Sequence, residues 1–241
     1  GNYKKLFQSD LFWLSQKNTM IYLLVSFLYS LIIGFGAAVL LISVRSKLNG
    51  LFRSSFFLPV VISSTVVCQM WLSILNYDSG LINSLFRALD LDYRQEWLTS
   101  SATAIITVAF VSAWQYMGLT FMMSYTNIRS IPEQYFEAAR IDGATTVQIH
   151  RHITLPLLQE AFRFTVISSV SGALRAFDTV YIMTNGGPGD YSHTLTFLLY
   201  KTAFKQGKYG YGSAVAVVIV LESLLFFFII NKTISKRDIY A

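Results

Sequence analysis

Three charged side chains lie inside otherwise apolar stretches: Arg175 and Asp178 within residues 164–184, and Glu222 within residues 212–231. Charge at membrane depth is expensive, so such groups face a partner, a water-filled cavity or one another. Arg175 and Asp178 stand three apart on one helical face. An ion pair near the outer boundary is the plain expectation for them, and a polar or acidic ligand for Arg175 the sharper one. Glu222 is expected at a subunit contact. Earlier in the chain Ser112, Gln115 and Tyr116 share a helix face near the middle of an uncharged run, while Trp114 points about 160° from Tyr116. Hydroxyl, amide and aromatic groups at that depth mark a path for a polar solute, with helix packing as the alternative. Ser168, Ser169, Ser171 and Gly172 have the same two readings. No catalytic constellation accompanies them: there is no phosphate-binding Walker loop and no His-Glu-x-x-His, and His150, His152 and His193 lack metal-ligand spacing with one another.

The surrounding composition says what must position these groups. Charged residues make up 13% of the 241, about half the usual share in soluble domains. Hydrophobic residues are 54%, which excludes a disordered chain and fits poorly with a nucleic-acid-binding surface. The single cysteine, Cys68, excludes an internal disulfide and a zinc module. The net charge of +6 is spread over many loops, as in membrane-flanking segments. Residues 20–44, 54–77 and 98–128 carry no charge, and each run exceeds the roughly 20 residues that cross a bilayer. Five spans are expected, near 20–44, 56–76, 102–126, 161–184 and 213–231, in one all-α transmembrane domain over residues 1–241. Strand-like alternation is missing, which argues against a barrel. Residues 1–18 read as a polar, aromatic loop with neither an initiator Met nor a signal-peptide layout, as in a fragment whose beginning is missing. Lys and Arg divide ten to eight between the two sides, which only weakly makes the side carrying residues 45–53, 127–163 and the C-terminus cytoplasmic.

That side also carries an ordered connector, about residues 130–156. Ser130 with Glu133 three residues on matches a capping box, Pro132 suits a first turn, and Gly143 suits a left-handed helix end. The pattern predicts a helix over about 131–142, a second short one within 144–152, and a restart of the next long helix at Pro156.

Within this elbow, Glu137-Ala138-Ala139, then Asp142-Gly143-Ala144, then Ile153-Thr154-Leu155-Pro156 resemble the EAA motif of bacterial ABC-importer permeases. Residues 177–188, from Phe177-Asp178 to Asn185-Gly186-Gly187-Pro188, and Gly210-Tyr211-Gly212-Ser213-Ala214 are similar to segments of the carbohydrate, maltose-permease-like branch. Asn2-Tyr3, Leu6-Phe7, Phe12-Trp13 and Asn18-Thr19 resemble the outer loop after that family's first span, so the resemblance covers essentially the whole chain and implies an absent N-terminal helix. Glu160 departs from the pattern, since many relatives carry a second proline there.

The resemblance implies the fold of a type I importer permease in a bacterial inner, or cytoplasmic, membrane. Implied partners are a second homologous permease, two ATP-binding cassette subunits, an extracellular sugar-binding protein, membrane lipid, and an oligosaccharide or other sugar as substrate. No cofactor or metal is expected on this chain, because ATP and Mg act on the ATPase. Coupling is expected through Glu137, Ala138, Ala139, Asp142, Gly143, Ala144, Ile153, Leu155 and Pro156. The implied substrate path carries Ser112, Gln115, Tyr116, Ser169, Gly172 and Arg175, whose aromatic face and hydroxyl or amide groups would meet the CH and OH surfaces of a sugar. Two other classes fit the intramembrane charges: an intramembrane enzyme, and an ion-gradient transporter using Asp178 or Glu222 as its coupling carboxylate.

Overall fold

The structure, a computed structural model, describes residues 1–43, 49–91 and 93–234. Arg45, Lys47, Lys236 and Arg237, which enter the charge count above, lie outside the described residues. Every regular element among the described residues is helical.

The N-terminal segment is helix and not the expected loop. After α1 (Asn2–Phe7), α2 (Asp10–Tyr29) starts ten residues earlier than the uncharged run predicts. Ser9 caps it by accepting from Phe12 N, and Asp10 places negative charge at its positive end. Burial fixes the segment, because Leu6 and Phe12 pack with Leu195, Leu198, Ala214 and Val215. The helix continues through a π-helical stretch, Ser30–Phe35, into α3 (Gly36–Ser43), making one apolar span over Asp10–Leu41.

Instead of one straight helix over 56–76, α4 (Asn49–Val61) and α5 (Ser64–Ile74) meet at 101°. Pro59 removes a backbone donor just before the break, and Ser63 starts the new helix with extended backbone. α6 (Leu81–Ala88) follows as a short amphipathic helix, with Leu81 and Leu85 exposed. Buried Asn83 ties it down by donating to the carbonyls of Tyr77 and Gln95.

α7 (Ala104–Arg129) is the central helix, buried along most of its length and shared by two hydrophobic clusters. Beyond it α8 (Glu133–Ile141), α9 (Thr146–Ile149), a π-helical turn over His150–Thr154 and α10 (Leu155–Leu157) form the elbow. The span expected over 161–184 divides into α11 (Gln159–Leu174) and α12 (Asp178–Met183). Its 16-residue first part is only about 24 Å long. The break survives because other groups take its freed carbonyls: Thr194 Oγ1 donates to Ala176 O at 2.6 Å and Thr196 Oγ1 to Leu174 O at 2.7 Å. α13 (Leu195–Tyr200), a π-helical turn over Lys201–Lys205, and α14 (Tyr209–Thr233) complete the chain. α14 joins α11 through Arg163, which donates to Asn231 Oδ1, and turns Leu221, Leu224, Leu225 and Phe228 outward.

Among the described residues three helices are long and apolar enough to cross a membrane, Asp10–Leu41, Ala104–Arg129 and Tyr209–Thr233, with the bent α4–α5 pair a fourth when counted as one span. The expectation of five spans therefore meets four such units plus a broken fifth helix pair.

Candidate functional site

Three helices each turn three small or hydroxyl-bearing side chains, most of them four residues apart, toward one cavity of about 400 Å³. α2 and its π-helical extension contribute Tyr22, Ser26 and Ser30; α7 contributes Ser112, Tyr116 and Thr120; α11 contributes Ser168, Ser169 and Gly172. Residues four apart stack on one helix face. Arg175, Phe177 and Asp178 enter from the α11–α12 break, and Ser64 from the start of α5. Tyr22 OH lies 3.1 Å from Thr179 Oγ1, and Tyr116 OH 3.2 Å from Ser64 Oγ, so both phenols anchor the wall. The buried Ser26 hydroxyl has no hydrogen-bond partner among the described residues. A Cβ added at Gly172 meets nothing within 4 Å.

Of the six residues expected on the substrate path, five line this cavity and Gln115 does not. Its side chain is 1% exposed, and Nε2 donates to Ile62 O at 2.9 Å, at the α4–α5 bend. The correction has a geometric cause: Gln115 faces the neighbouring helix while Ser112 and Tyr116 face the opening. Trp114 packs on Trp71, with ring centroids 5.5 Å apart, in the outer core. The expected Arg175–Asp178 ion pair does not form among the described residues: both side chains are exposed, and Arg175 Nε donates back to Ser171 O at 3.2 Å. Glu222 is half-buried beside Gln16 of α2, a neighbour within its own chain.

Beyond α12, residues 184–208 form a cap held against α2. Asn18 donates from Nδ2 to the carbonyls of both Tyr191 and His193, and Leu195 N donates to Thr19 Oγ1, fastening this cap to α2. Asn185 and Gly186 take left-handed conformations, and a side chain at Gly186 would collide with the His193 ring. Lys201 donates to Asp190 at 2.7 Å, with His193 Nε2 3.1 Å from the same carboxylate oxygen. Burial, and then the Lys201 charge, push the His193 pKa down to about 4. The ring is neutral near pH 7, and the ion pair is Asp190 with Lys201. The hydrogen bond from Lys201 holds the Asp190 carboxyl below its usual range.

At the opposite end the elbow protrudes. Gly143 has φ +78°; its N–H reaches Arg140 O at 3.1 Å and that of Ala144 reaches Ala139 O at 2.9 Å, the paired bonds of a Schellman turn. The capping box falls elsewhere than expected. Ser130 Oγ closes α7 by donating to Asn127 O, and Pro132 occupies the cap position of α8. The reciprocal pair is Thr145 and Gln148 at the start of α9. Glu137, Ala138, Asp142 and Gly143 are exposed, and Ala139 and Ala144 half-buried. Beside them Ile141 is 86% and Val147 75% exposed. Ile153, Leu155 and Pro156 sit apart from this tip, on the return toward α11, where Leu155 and Pro156 border an apolar groove with Leu31, Phe35 and Phe162. His150 and His152 bond locally, to Thr154 Oγ1 and Gln148 O. No group of three or more metal-ligating side chains occurs among the described residues.

An elbow between two buried helices, joined to a polar cavity, is the arrangement against which known proteins can be compared. Residues 30–238 match the family described as binding-protein-dependent transport system inner membrane component. The chain belongs to that family. This permease is 39% identical over 228 residues to the probable ABC transporter permease protein YurN of Bacillus subtilis (strain 168), covering 92% of this chain and 77% of that protein. It is 28% identical over 225 residues to the trehalose/maltose transport system permease protein MalF of Thermococcus litoralis, covering 93% and 75%. Its fold superposes with a TM-score of 0.87, at 22% identity, on a bacterial ABC transporter involved in the import of the acidic polysaccharide alginate, covering 97% of this chain and 82% of that one. Permeases of this kind are not enzymes themselves; separate ATPase subunits hydrolyse the ATP.

Sequence reasoning missed Tyr22, Ser26, Ser30, Ser64 and Thr120 in the permease cavity. The stripe Tyr22, Ser26, Ser30 was detectable as polar residues four apart in an apolar run. Nothing local marked Ser64, which reaches the cavity only because the chain bends before it.

Proposed function

We propose that this permease is the membrane-spanning subunit of an ATP-driven sugar importer in a bacterial cytoplasmic membrane. It forms the translocation path with a second, related permease, receives sugar from an extracellular binding protein, and is driven by two ATP-binding cassette subunits, on which ATP and Mg act. The observation that carries this reading is the elbow. Highly exposed Ile141 and Val147, next to Ala138 on a turn fixed by Gly143, form an apolar tip that water does not favour and that a partner's cleft would bury. Glu137, Ala138, Ala139, Asp142 and Ala144 would make or brace that contact, while Ile153, Leu155 and Pro156 would carry the motion into α11.

The cavity supports a sugar as cargo. Its wall offers many hydroxyls, the Tyr116 and Phe177 rings and one guanidinium, Arg175, which is free of Asp178 and so available to an acidic or strongly polar glycan. Ser112, Tyr116, Ser169 and Gly172 would line the path with it. A gradient-driven transporter would use Asp178 or Glu222, but Glu222 does not line the cavity. An intramembrane enzyme needs a polar core joining Arg175, Asp178 and Glu222, and these three do not converge on one cavity.

The test is uptake by proteoliposomes holding the assembled complex, offered labelled di- and oligosaccharides with the extracellular binding protein. Accumulation should require ATP on the ATPase side and survive collapse of the proton and sodium gradients. Uptake that follows a gradient and persists without the ATPase would overturn the reading.

A further inference from the structure

A break in a membrane-spanning helix frees backbone groups that hydrocarbon cannot satisfy. At the α4–α5 bend a single side chain of α7 reaches one of them: Gln115 Nε2 donates to Ile62 O at 2.9 Å. The other end of the same carboxamide, Oε1, is buried with no hydrogen-bond partner among the described residues. The Ser63 side chain makes no cap bond to the first turn of α5. A donor in use, an acceptor idle and an uncapped helix start thus meet at one bend.

The two arms of the bend belong to different packing units. α4 is held against the lower part of α7: Phe56 stacks on Phe121 at 4.6 Å, the Arg53 guanidinium lies 5.1 Å from the centre of the Tyr125 ring, and Gly118 lets the backbones of the two helices touch. α5 instead packs into the outer core, where Val67 and Cys68 join Val180 and Met183 of α12. Gln115 sits on α7 between Val111 of the outer cluster and Phe121 of the inner one. Immediately beyond the bend, Ser64 meets Tyr116 across the cavity wall.

We infer that Gln115 is a positioning residue, the latch of a hinge at Ile62–Ser63 on which the outer arm α5 swings against the α4–α7 unit as the cavity opens and closes. In the arrangement described here the carboxamide holds the Ile62 carbonyl. In the alternative arrangement its idle oxygen accepts an N–H from the first turn of α5. Solute that parts the Ser64–Tyr116 hydrogen bond biases the hinge, which makes the latch a coupling element and not a binding group. The nucleotide-driven motion of this hinge rests on the transport reading above, so the distances are judged in a complex first shown to hydrolyse ATP.

The experiment measures distance and turnover in the same complex. Nitroxide labels at Gly50→Cys and Asp78→Cys, in a Cys68→Ser background, report across the bend. With Gln115 intact the distance should be single in the nucleotide-free complex and shift on vanadate trapping; an unchanged distance overturns the hinge. Gln115→Met keeps the length and removes the hydrogen bond, so the nucleotide-free distribution should split. The ratio of stimulated to basal ATP hydrolysis should fall about tenfold, with no change in the concentration of loaded binding protein giving half-stimulation. A Gln115→Met complex with unaltered distance and ratio overturns the latch. If this variant does not assemble, the intact-Gln115 distances decide alone. If the binding protein fails to stimulate the complex even with Gln115 present, the transport reading falls, and the distances still judge the hinge.

Discussion

Replacing Gly143 with proline should leave the membrane pair assembled and abolish sugar-stimulated ATP hydrolysis. Gly143 holds φ at +78°, whereas proline is locked near −65°. The substitution also deletes the N–H that reaches Arg140 O at 3.1 Å. The Schellman turn cannot close, so α9 leaves α8 in another direction. The local penalty, about 3 kcal/mol by analogy with proline inside a helix, stays in the elbow, because a Cβ at Gly143 has nothing within 4 Å and α8 buries no residue. Stimulated hydrolysis should drop at least about 100-fold, the upper range of coupling between sites, while gel filtration shows an intact complex. Gly143→Asn is the control, since asparagine tolerates the left-handed conformation, and it should keep most of the stimulation. Normal stimulation in the proline variant would count against the elbow as the transmitter.

The second large effect is on folding. A Cβ at Gly118 would lie 2.2 Å from Phe56 O and 3.1 Å from Phe57 Cα. Both obstacles are backbone, so neither can rotate away as a flexible side chain would. Gly118→Val must push α4 off α7, opening the Phe56–Phe121 stack and lifting Ile62 away from Gln115. Overpacking of a close-packed core costs about 1–3 kcal/mol, and two backbone obstacles place this site at or above the upper end. The variant should yield little monodisperse protein in detergent, with a markedly lower midpoint of thermal unfolding. Gly172→Ala, whose Cβ faces open space in the cavity, should unfold like the parent. An unchanged midpoint for Gly118→Val would mean that the α4–α7 contact is looser than described.

The contrast between these two glycines shows where sequence suffices. Gly143 was legible because a helix end followed by a second short helix needs a left-handed residue, and the pattern around it is local. Gly118 was not, because its role is set by Phe56, far away in the chain. The same division runs through the helices. Expected spans over 102–126 and 213–231 correspond to α7 and α14 within a few residues, since a long uncharged run in lipid has few alternatives to helix. The bend at Ile62–Ser63 was hidden because hydropathy does not change across it; Pro59 and two serines were its only local marks. Residues 10–18, part of the expected loop, are interrupted by Asp10 and Lys17, yet Phe12, Ser15 and Asn18 are buried with the adjoining Thr19, and Asn18 and Thr19 bond the cap.

The candidate site divides in the same way. Helical spacing grouped Ser112 with Tyr116, the family resemblance implied cavity depth for Ser169 and Gly172, and all four line the cavity. It could not decide that Gln115 turns toward a neighbour, because that depends on where α4 ends. The capping-box pattern at Ser130 was met by residue type and defeated by Pro132, whose extended backbone takes the cap position itself.

The central claim is that the elbow is the surface on which an ATPase subunit acts. The most direct measurement is site-specific crosslinking from Ala138→Cys, in a Cys68→Ser background, within membrane vesicles of known orientation containing the complete complex. The account predicts that this thiol is labelled only from the cytoplasmic side and that its crosslinked product contains the ATPase. Labelling from the cell exterior, or a crosslink that never captures the ATPase, would contradict it.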